Sequence, residues 1–128
     1  MTYSIKEITE KTGLSASTLR YYEKEGILPF VKRDENGKRL YSDENIEWIH
    51  FILALLSTGM PIAEIKRYVE LYKNGDTTIK ERRQIMIQHK TKVEEEMMKT
   101  YTYLEQINYK LALYDVIEAN LKNKEIKI

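Results

Sequence analysis

Cysteine is absent from the 128 residues. That one absence removes disulfides, thiolate metal sites and thiol-based sensing of oxidants or electrophiles together. Two prolines and five glycines are all that punctuate the chain, so breaks are few and helices can run long. No apolar stretch is long enough to cross a bilayer, and the opening MTYSIKE lacks the features of a signal peptide. The expectation is a cytoplasmic protein without membrane association. Net charge is nearly absent too: 21 basic against 20 acidic residues leave +1, so any attraction to a polyanion must come from local clustering. Glycine-rich phosphate loops, a cysteine nucleophile and a histidine–carboxylate pair at catalytic spacing are all missing, and nothing supports an enzyme. His50 and His89 stand without matching acidic or cysteine spacing, so no metal and no cofactor is expected. What is present is 42% hydrophobic and 32% charged residues. That balance suits a helix-rich chain with one compact domain and an extension.

The order within the first forty residues is informative. Ser4-Ile5-Lys6-Glu7 fits a capping box, a serine whose amide the glutamate three positions on reaches back to bond. The helix it opens should end near Thr12, with Gly13 taking the left-handed conformation. Only Gly13-Leu14 separates this helix from Ser15, a second cap. On the helix that follows, Leu19, Tyr22 and Glu23 share one side, while Ser17, Arg20 and Tyr21 share another. The first side suits burial. The second carries a hydroxyl, a guanidinium and a phenol, which can meet base edges and phosphates. Gly26 and Pro29 stop the helix. A ribbon follows, its tip Asp34-Glu35-Asn36-Gly37 containing the Asn-Gly pair favoured in hairpins, with Lys32, Arg33, Lys38 and Arg39 on its arms. Together these pieces read as a winged helix-turn-helix unit able to contact DNA.

Ser42-Asp43-Glu44 opens a third helix, with acidic residues where they favour the positive end of its dipole. Ile46, Ile49, Leu53 and Leu56 make one apolar stripe, and Trp48, Phe51, Ile52 and Leu55 a second. A helix apolar on two sides is packed on two sides, so Trp48 and Phe51 are expected to need a second chain. After Gly59-Met60, Pro61 is placed as the first residue of a fourth helix burying Ile62, Ile65, Val69 and Tyr72. Thr78-Ile79-Lys80-Glu81 reads as another capping box. Beyond it no glycine or proline occurs, and Val93, Met97, Thr100, Leu104, Ile107, Leu111 and Tyr114 step by fours and threes, a heptad seam broken only at Thr100. About forty residues at ~1.5 Å each make a rod of about 60 Å. Alone it would leave its seam in water, so a homodimer through this helix is expected. The division is residues 1–75 for the winged domain, 76–121 for the dimerisation helix and 122–128 for a disordered tail. The fold class is mainly α.

Three segments carry a resemblance: TLRYYEKEGIL at residues 18–28, GKRLY at 37–41 and STGMPIAEIKRYV at 57–69. Their order and spacing are similar to the MerR family of bacterial transcription regulators, strongly over residues 1–73 and in kind over the long helix. The resemblance implies a dimer whose two winged units are held apart by an antiparallel coiled coil. It also implies a pseudo-palindromic promoter that is bent and untwisted, so that RNA polymerase is served indirectly. Carried over, Ser17, Thr18, Arg20 and Tyr21 meet DNA from the helix, and Lys38 and Arg39 from the wing. Tyr41 and Lys66 hold phosphates near the junction of the third and fourth helices. Tyr22 shares in phosphate contact, against the periodicity, which turns its ring partly inward. The dimerisation set is Trp48, Phe51, Val93, Met97, Leu104, Ile107, Leu111 and Tyr114. The stretch from Phe51 to Val69 is most similar to the branch that senses aldehydes and thiol-reactive compounds. Ala54 stands where that branch has a cysteine, so its sensing chemistry is not carried over.

Plainer readings stand beside these. Arg20 could be a surface ion pair, Lys38 and Arg39 could merely keep a hairpin edge soluble, and Lys66 could be one more exposed lysine. Tyr101, Tyr103, Tyr109 and Tyr114 with Met97 and Met98 could line a cavity for a small-molecule effector, though packing along the seam accounts for them. The alternative for the whole chain is a coiled-coil interaction module without DNA binding. It suits the net charge and leaves the basic hairpin without a role.

Overall fold

The computed structural model describes residues 1–126, with side chains through Lys124. Strand β1 (Thr2–Tyr3) leads into α1 (Ile5–Thr12) and α2 (Ala16–Lys24). The hairpin β2 (Lys32–Arg33) and β3 (Arg39–Ser42) follows. Then come α3 (Asp43–Ser57), α4 (Ile62–Lys73), a 3-10 turn (Asp76–Thr78) and α5 (Ile79–Ile126). The first unit runs from Met1 to Ile87, so the opening turns of α5 belong to it. The second begins at Gln88 and consists of the rest of α5.

Local signals set the helix starts. Glu7 N–H donates to Ser4 Oγ at 3.2 Å and Ser4 N–H donates to Glu7 Oε1 at 3.1 Å, closing the capping box. Gly13 ends α1 at φ 76°, in the left-handed region that glycine enters without steric cost. Ser15 caps α2 by accepting from Thr18 N–H at 3.1 Å. Ser42 caps α3, and its box partner is Asn45: Asn45 N–H donates to Ser42 Oγ and Ser42 N–H to Asn45 Oδ1. Asn45 is 1% exposed, and its Nδ2 donates to Pro29 O at 2.9 Å. A buried amide so satisfied ties the start of α3 to the segment between α2 and the wing.

The sheet is ordered β1-β3-β2, all antiparallel, with Thr2 opposite Ser42, Tyr3 opposite Tyr41 and Arg33 opposite Arg39. β1 has no counterpart in the sequence reading, because two residues carry no period. At the wing tip, Gly37 N–H donates to Asp34 O and Asp34 N–H to Lys38 O. Positive φ falls on Gly37 and not on Asn36, so the tip is a four-residue turn ending in a left-handed glycine rather than a two-residue Asn-Gly turn. Asp34 Oδ1 accepts from the amides of Asn36 and Lys38 and holds the loop from inside.

Ile8, Leu19, Ile27, Leu28, Ile49, Ile52, Ile65 and Val69 form the centre of the core, and Ile85 from α5 joins it. The packing gives Trp48 and Phe51 neighbours inside the chain and corrects two other expectations. Trp48 packs edge-on to Tyr72 at 4.9 Å between ring centres, and Phe51 lies 5.6 Å from Tyr68, so α4 covers part of the second side of α3, where Phe51 stays partly exposed. Pro61 is the cap of α4 rather than its first residue, with ψ at 148°. Thr78 does not cap α5: its hydroxyl donates back to Leu71 O at 2.6 Å and accepts from Arg82 Nε at 3.0 Å, fastening the end of α4. Helix α5 runs through the Lys122–Ile126 stretch read as a tail, and residues 127–128 lie outside the described residues.

Candidate nucleic-acid interface

The tight Gly13-Leu14 connection sets α2 across α1, and burial of Leu19 and Tyr22 fixes its rotation. Ser17, Arg20 and Tyr21 are therefore exposed together, as the 3.6-residue period requires. Thr18 is half-buried, its hydroxyl accepting from Ser15 Oγ at 2.9 Å, while Ser15 Oγ lies 3.1 Å from Ser17 Oγ. Tyr21 keeps 45% of its surface in solvent.

The wing stands beside this helix. An open notch of ≈ 460 Å³ between them is lined by Ser17, Arg20, Tyr21, Glu23, Lys24, Arg33 and Arg39. A second, on the other flank, is lined by Ser4, Ile5, Lys6, Arg20, Gly37, Lys38 and Arg39. Arg20 and Arg39 belong to both and form the ridge between them. Six cations (Lys6, Arg20, Lys24, Arg33, Lys38, Arg39) and one acid, Glu23, line the pair of notches. Local clustering thus overcomes a net charge of +1. Lys6, Lys24 and Arg33 were not among the predicted contact residues. Lys6 had no distinguishing signal, since only the fold brings the first turn of α1 to the wing. Arg33 did have one, in the like-charged arms of the hairpin.

Glu23 organises the inner notch. One carboxylate oxygen accepts from Arg39 Nε and the other faces Arg33 Nη2 at 3.4 Å. Arg33 Nη1 also donates to Gly37 O at 3.0 Å. Arg20 forms no ion pair among the described residues and is exposed, so its guanidinium is available to a ligand. Lys38 is exposed at the tip. Lys66 lies on α4 with its Nζ 3.5 Å from Glu25 Oε2, beside the end of α2.

One predicted contact residue, Tyr41, is corrected, and a second, Tyr22, turns its ring inward. Tyr41 is fully buried, so its ring faces the core and not solvent. Burial pushes its phenol pKa up, with Arg39 opposing and Glu23 adding to the rise. Tyr22 is buried in the core, and burial, then the neighbouring Tyr21, raises its pKa. The Tyr41 phenol is therefore not presented to a phosphate, whereas only the ring of Tyr22 is enclosed. The Tyr41 hydroxyl has no hydrogen-bond partner among the described residues, and an unmet buried hydroxyl carries a desolvation cost. Tyr41→Phe is expected to stabilise the fold by about 1 kcal/mol in urea unfolding and to leave DNA affinity unchanged. A loss of affinity in that variant would return the phenol to the interface.

Comparisons with known proteins agree with this arrangement. Residues 3–71 match the MerR HTH family regulatory protein domain, and residues 46–108 match the domain described as MerR, DNA binding. An uncharacterized HTH-type transcriptional regulator of Haemophilus influenzae is 40% identical over 119 residues, which span 93% of this chain and 88% of that protein. The HTH-type transcriptional regulator AdhR of Bacillus subtilis is 40% identical over 83 residues, 65% of this chain and 59% of its own length. The crystal structure of HiNmlR, a MerR family regulator lacking the sensor domain, bound to promoter DNA, matches with a TM-score of 0.83 at 40% identity, over 93% of this chain and 94% of that one. A putative MerR family transcriptional regulator from Listeria monocytogenes reaches a TM-score of 0.90 at 29% identity, covering 98% and 96%. With both domain matches falling on the winged unit and the helix that follows it, the chain belongs to the MerR family of helix-turn-helix regulatory proteins.

Proposed function

We propose that two copies of this chain, joined antiparallel along α5, bind a pseudo-palindromic promoter and bend and untwist it. Each copy sets α2 in a major groove, one turn of duplex from its mate, and rests its wing on the flanking backbone. Arg20, Ser17 and Tyr21 meet base edges and nearby phosphates. Lys38, Arg39 and Lys66 hold the backbone, and Thr18 adds a hydroxyl at the start of the helix. RNA polymerase is affected indirectly, through the altered duplex. The observation that carries this reading is the Arg20–Arg39 ridge, flanked on both sides by cationic notches. A relative of 40% identity bound to promoter DNA supports it. The action is regulatory rather than enzymatic and takes place in the cytoplasm, where the promoter is. With alanine at position 54 and no cysteine in the chain, a small-molecule signal would act by non-covalent binding, not by alkylating a thiol.

The dimer is supported by the second unit taken by itself. Met97, Leu104, Ile107, Leu111 and Tyr114 are each about half or more exposed along one side of α5, with Val93 partly covered at its start. Such a seam on an isolated helix is the pattern a coiled-coil partner buries.

Salt separates a regulator from a protein-binding module. If each copy neutralises about four phosphates, the dimer displaces about eight counterions, and affinity should fall by about 10⁴ between 50 and 200 mM salt. Fluorescence anisotropy on a duplex selected from genomic DNA reads this directly. A slope shallower than about −2 in log K against log salt is incompatible with the proposed contacts.

A further inference from the structure

We propose that Glu23 is a specificity-determining positioning residue: its carboxylate ties both arms of the wing to the recognition helix and so fixes where the wing arginines meet DNA. The inference rests on the DNA-binding reading above and adds a role to a residue that lies on the surface yet opposes phosphate. Arg33 and Arg39 are direct cross-strand partners in a hairpin whose outer strand is two residues long. Like charges so placed push the strands apart. Glu23 supplies one oxygen to each guanidinium, and Arg33 reaches on to Gly37 O across the turn. The carboxylate and Arg39 are only 22% and 23% exposed, so water and salt screen this pair less than an open surface pair.

Glu23 is also the one acid lining the inner notch. An acid on a phosphate-binding face lowers affinity for every duplex alike, since backbone contacts carry no sequence information. Its compensating effect is geometric. By holding the hairpin at one distance from α2, it lets the wing engage only when the base contacts of α2 are also in register. Glu23 thus trades general attraction for discrimination.

The test uses the full-length protein with Glu23→Gln and the double variant Glu23→Gln/Arg33→Gln. In the free protein, amide exchange at Asp34 and Lys38 should accelerate by about tenfold in Glu23→Gln while α1–α4 stay protected. On DNA, binding to a scrambled duplex should strengthen by about threefold, its salt slope steepening by about 0.9 for each copy, one negative charge being removed from each. The ratio of selected to scrambled affinity should fall by about tenfold. The double variant removes the cross-strand repulsion and should recover both the protection and most of the ratio. Unchanged exchange, or equal losses on both duplexes with a lowered melting temperature, overturns the proposal. Absence of duplex binding by the unmodified protein would sink the DNA reading instead, and the exchange measurement would still decide whether Glu23 holds the wing.

Discussion

Replacing Leu104 by lysine is expected to convert the dimer to monomer and to abolish tight promoter binding in the same step. Leu104 lies mid-way along the α5 seam with 49% of its surface exposed, and a partner helix would bury it. Twofold symmetry makes every substitution count twice. Losing a buried leucine costs about 2–5 kcal/mol at each site, so the dimer is weakened by at least about 4 kcal/mol, roughly a thousandfold in dissociation constant. Placing two ammonium groups in the seam adds to this. DNA affinity follows because the second half-site is bound at the effective concentration the first one sets, and a monomer has no such gain. The winged core should be untouched, since residue 104 lies in the unit that begins at Gln88. Sedimentation equilibrium and promoter titration on the same sample check both halves. A monomer that still grips the full promoter tightly would break the link between α5 and recognition, whatever the fold of the winged unit.

Much of the winged unit was legible because its signals are local. A serine with a glutamate three residues on, a glycine at a helix end and a 3.6-residue period each depend on a few neighbours. The Ser4 box, the left-handed Gly13 and the Ser17–Arg20–Tyr21 face accordingly stand as read. What escaped depends on distant partners. β1 exists because Thr2 and Tyr3 find the edge of β3, and nothing within two residues announces a strand. Tyr41 was assigned to phosphate on the strength of a family pattern. Alternation along β3 places it on the side of Arg39, and only the fold shows that this side lies over the core. The ring of Tyr68, set to one side of the stripe that marks Ile65 and Val69, also meets Trp48 and Phe51, a contact that only the crossing of α3 and α4 reveals. With Tyr68 and Tyr72 in place, Trp48 has neighbours within its own domain. Glu23 falls, by the helical period, on the side shared by Leu19 and Tyr22, and the sequence gives it no partner there. A charge placed there signals a partner within reach, which turned out to be the pair of wing arginines.

Arg20→Ala is expected to weaken binding to the selected duplex by about 1–3 kcal/mol, the range for one bidentate contact to a guanine edge. The reason lies in its surroundings. Arg33 and Arg39 are engaged by Glu23, and Lys66 faces Glu25, so DNA must compete for them with acids already in place. Arg20 has no such tie among the described residues and stands on the ridge shared by both notches. Its guanidinium is thus free to gain from a new acceptor. The folded state should hardly notice the change, because an exposed side chain without a partner contributes within about 0.5 kcal/mol to stability. A base contact and a phosphate contact then part company in the data. Loss of a base contact lowers affinity for the selected duplex and relaxes preference at one position in each half-site, leaving scrambled DNA nearly unaffected. Loss of a phosphate contact weakens both duplexes alike and reduces the salt slope by about 1 for each copy. Arg20→Lys sharpens the distinction: lysine keeps the charge but not the planar fork, so it should restore a phosphate contact and fail to restore a bidentate one. If Arg20→Ala leaves the footprint and both affinities as they were, recognition does not pass through the ridge, and the wing lysines become the residues to examine.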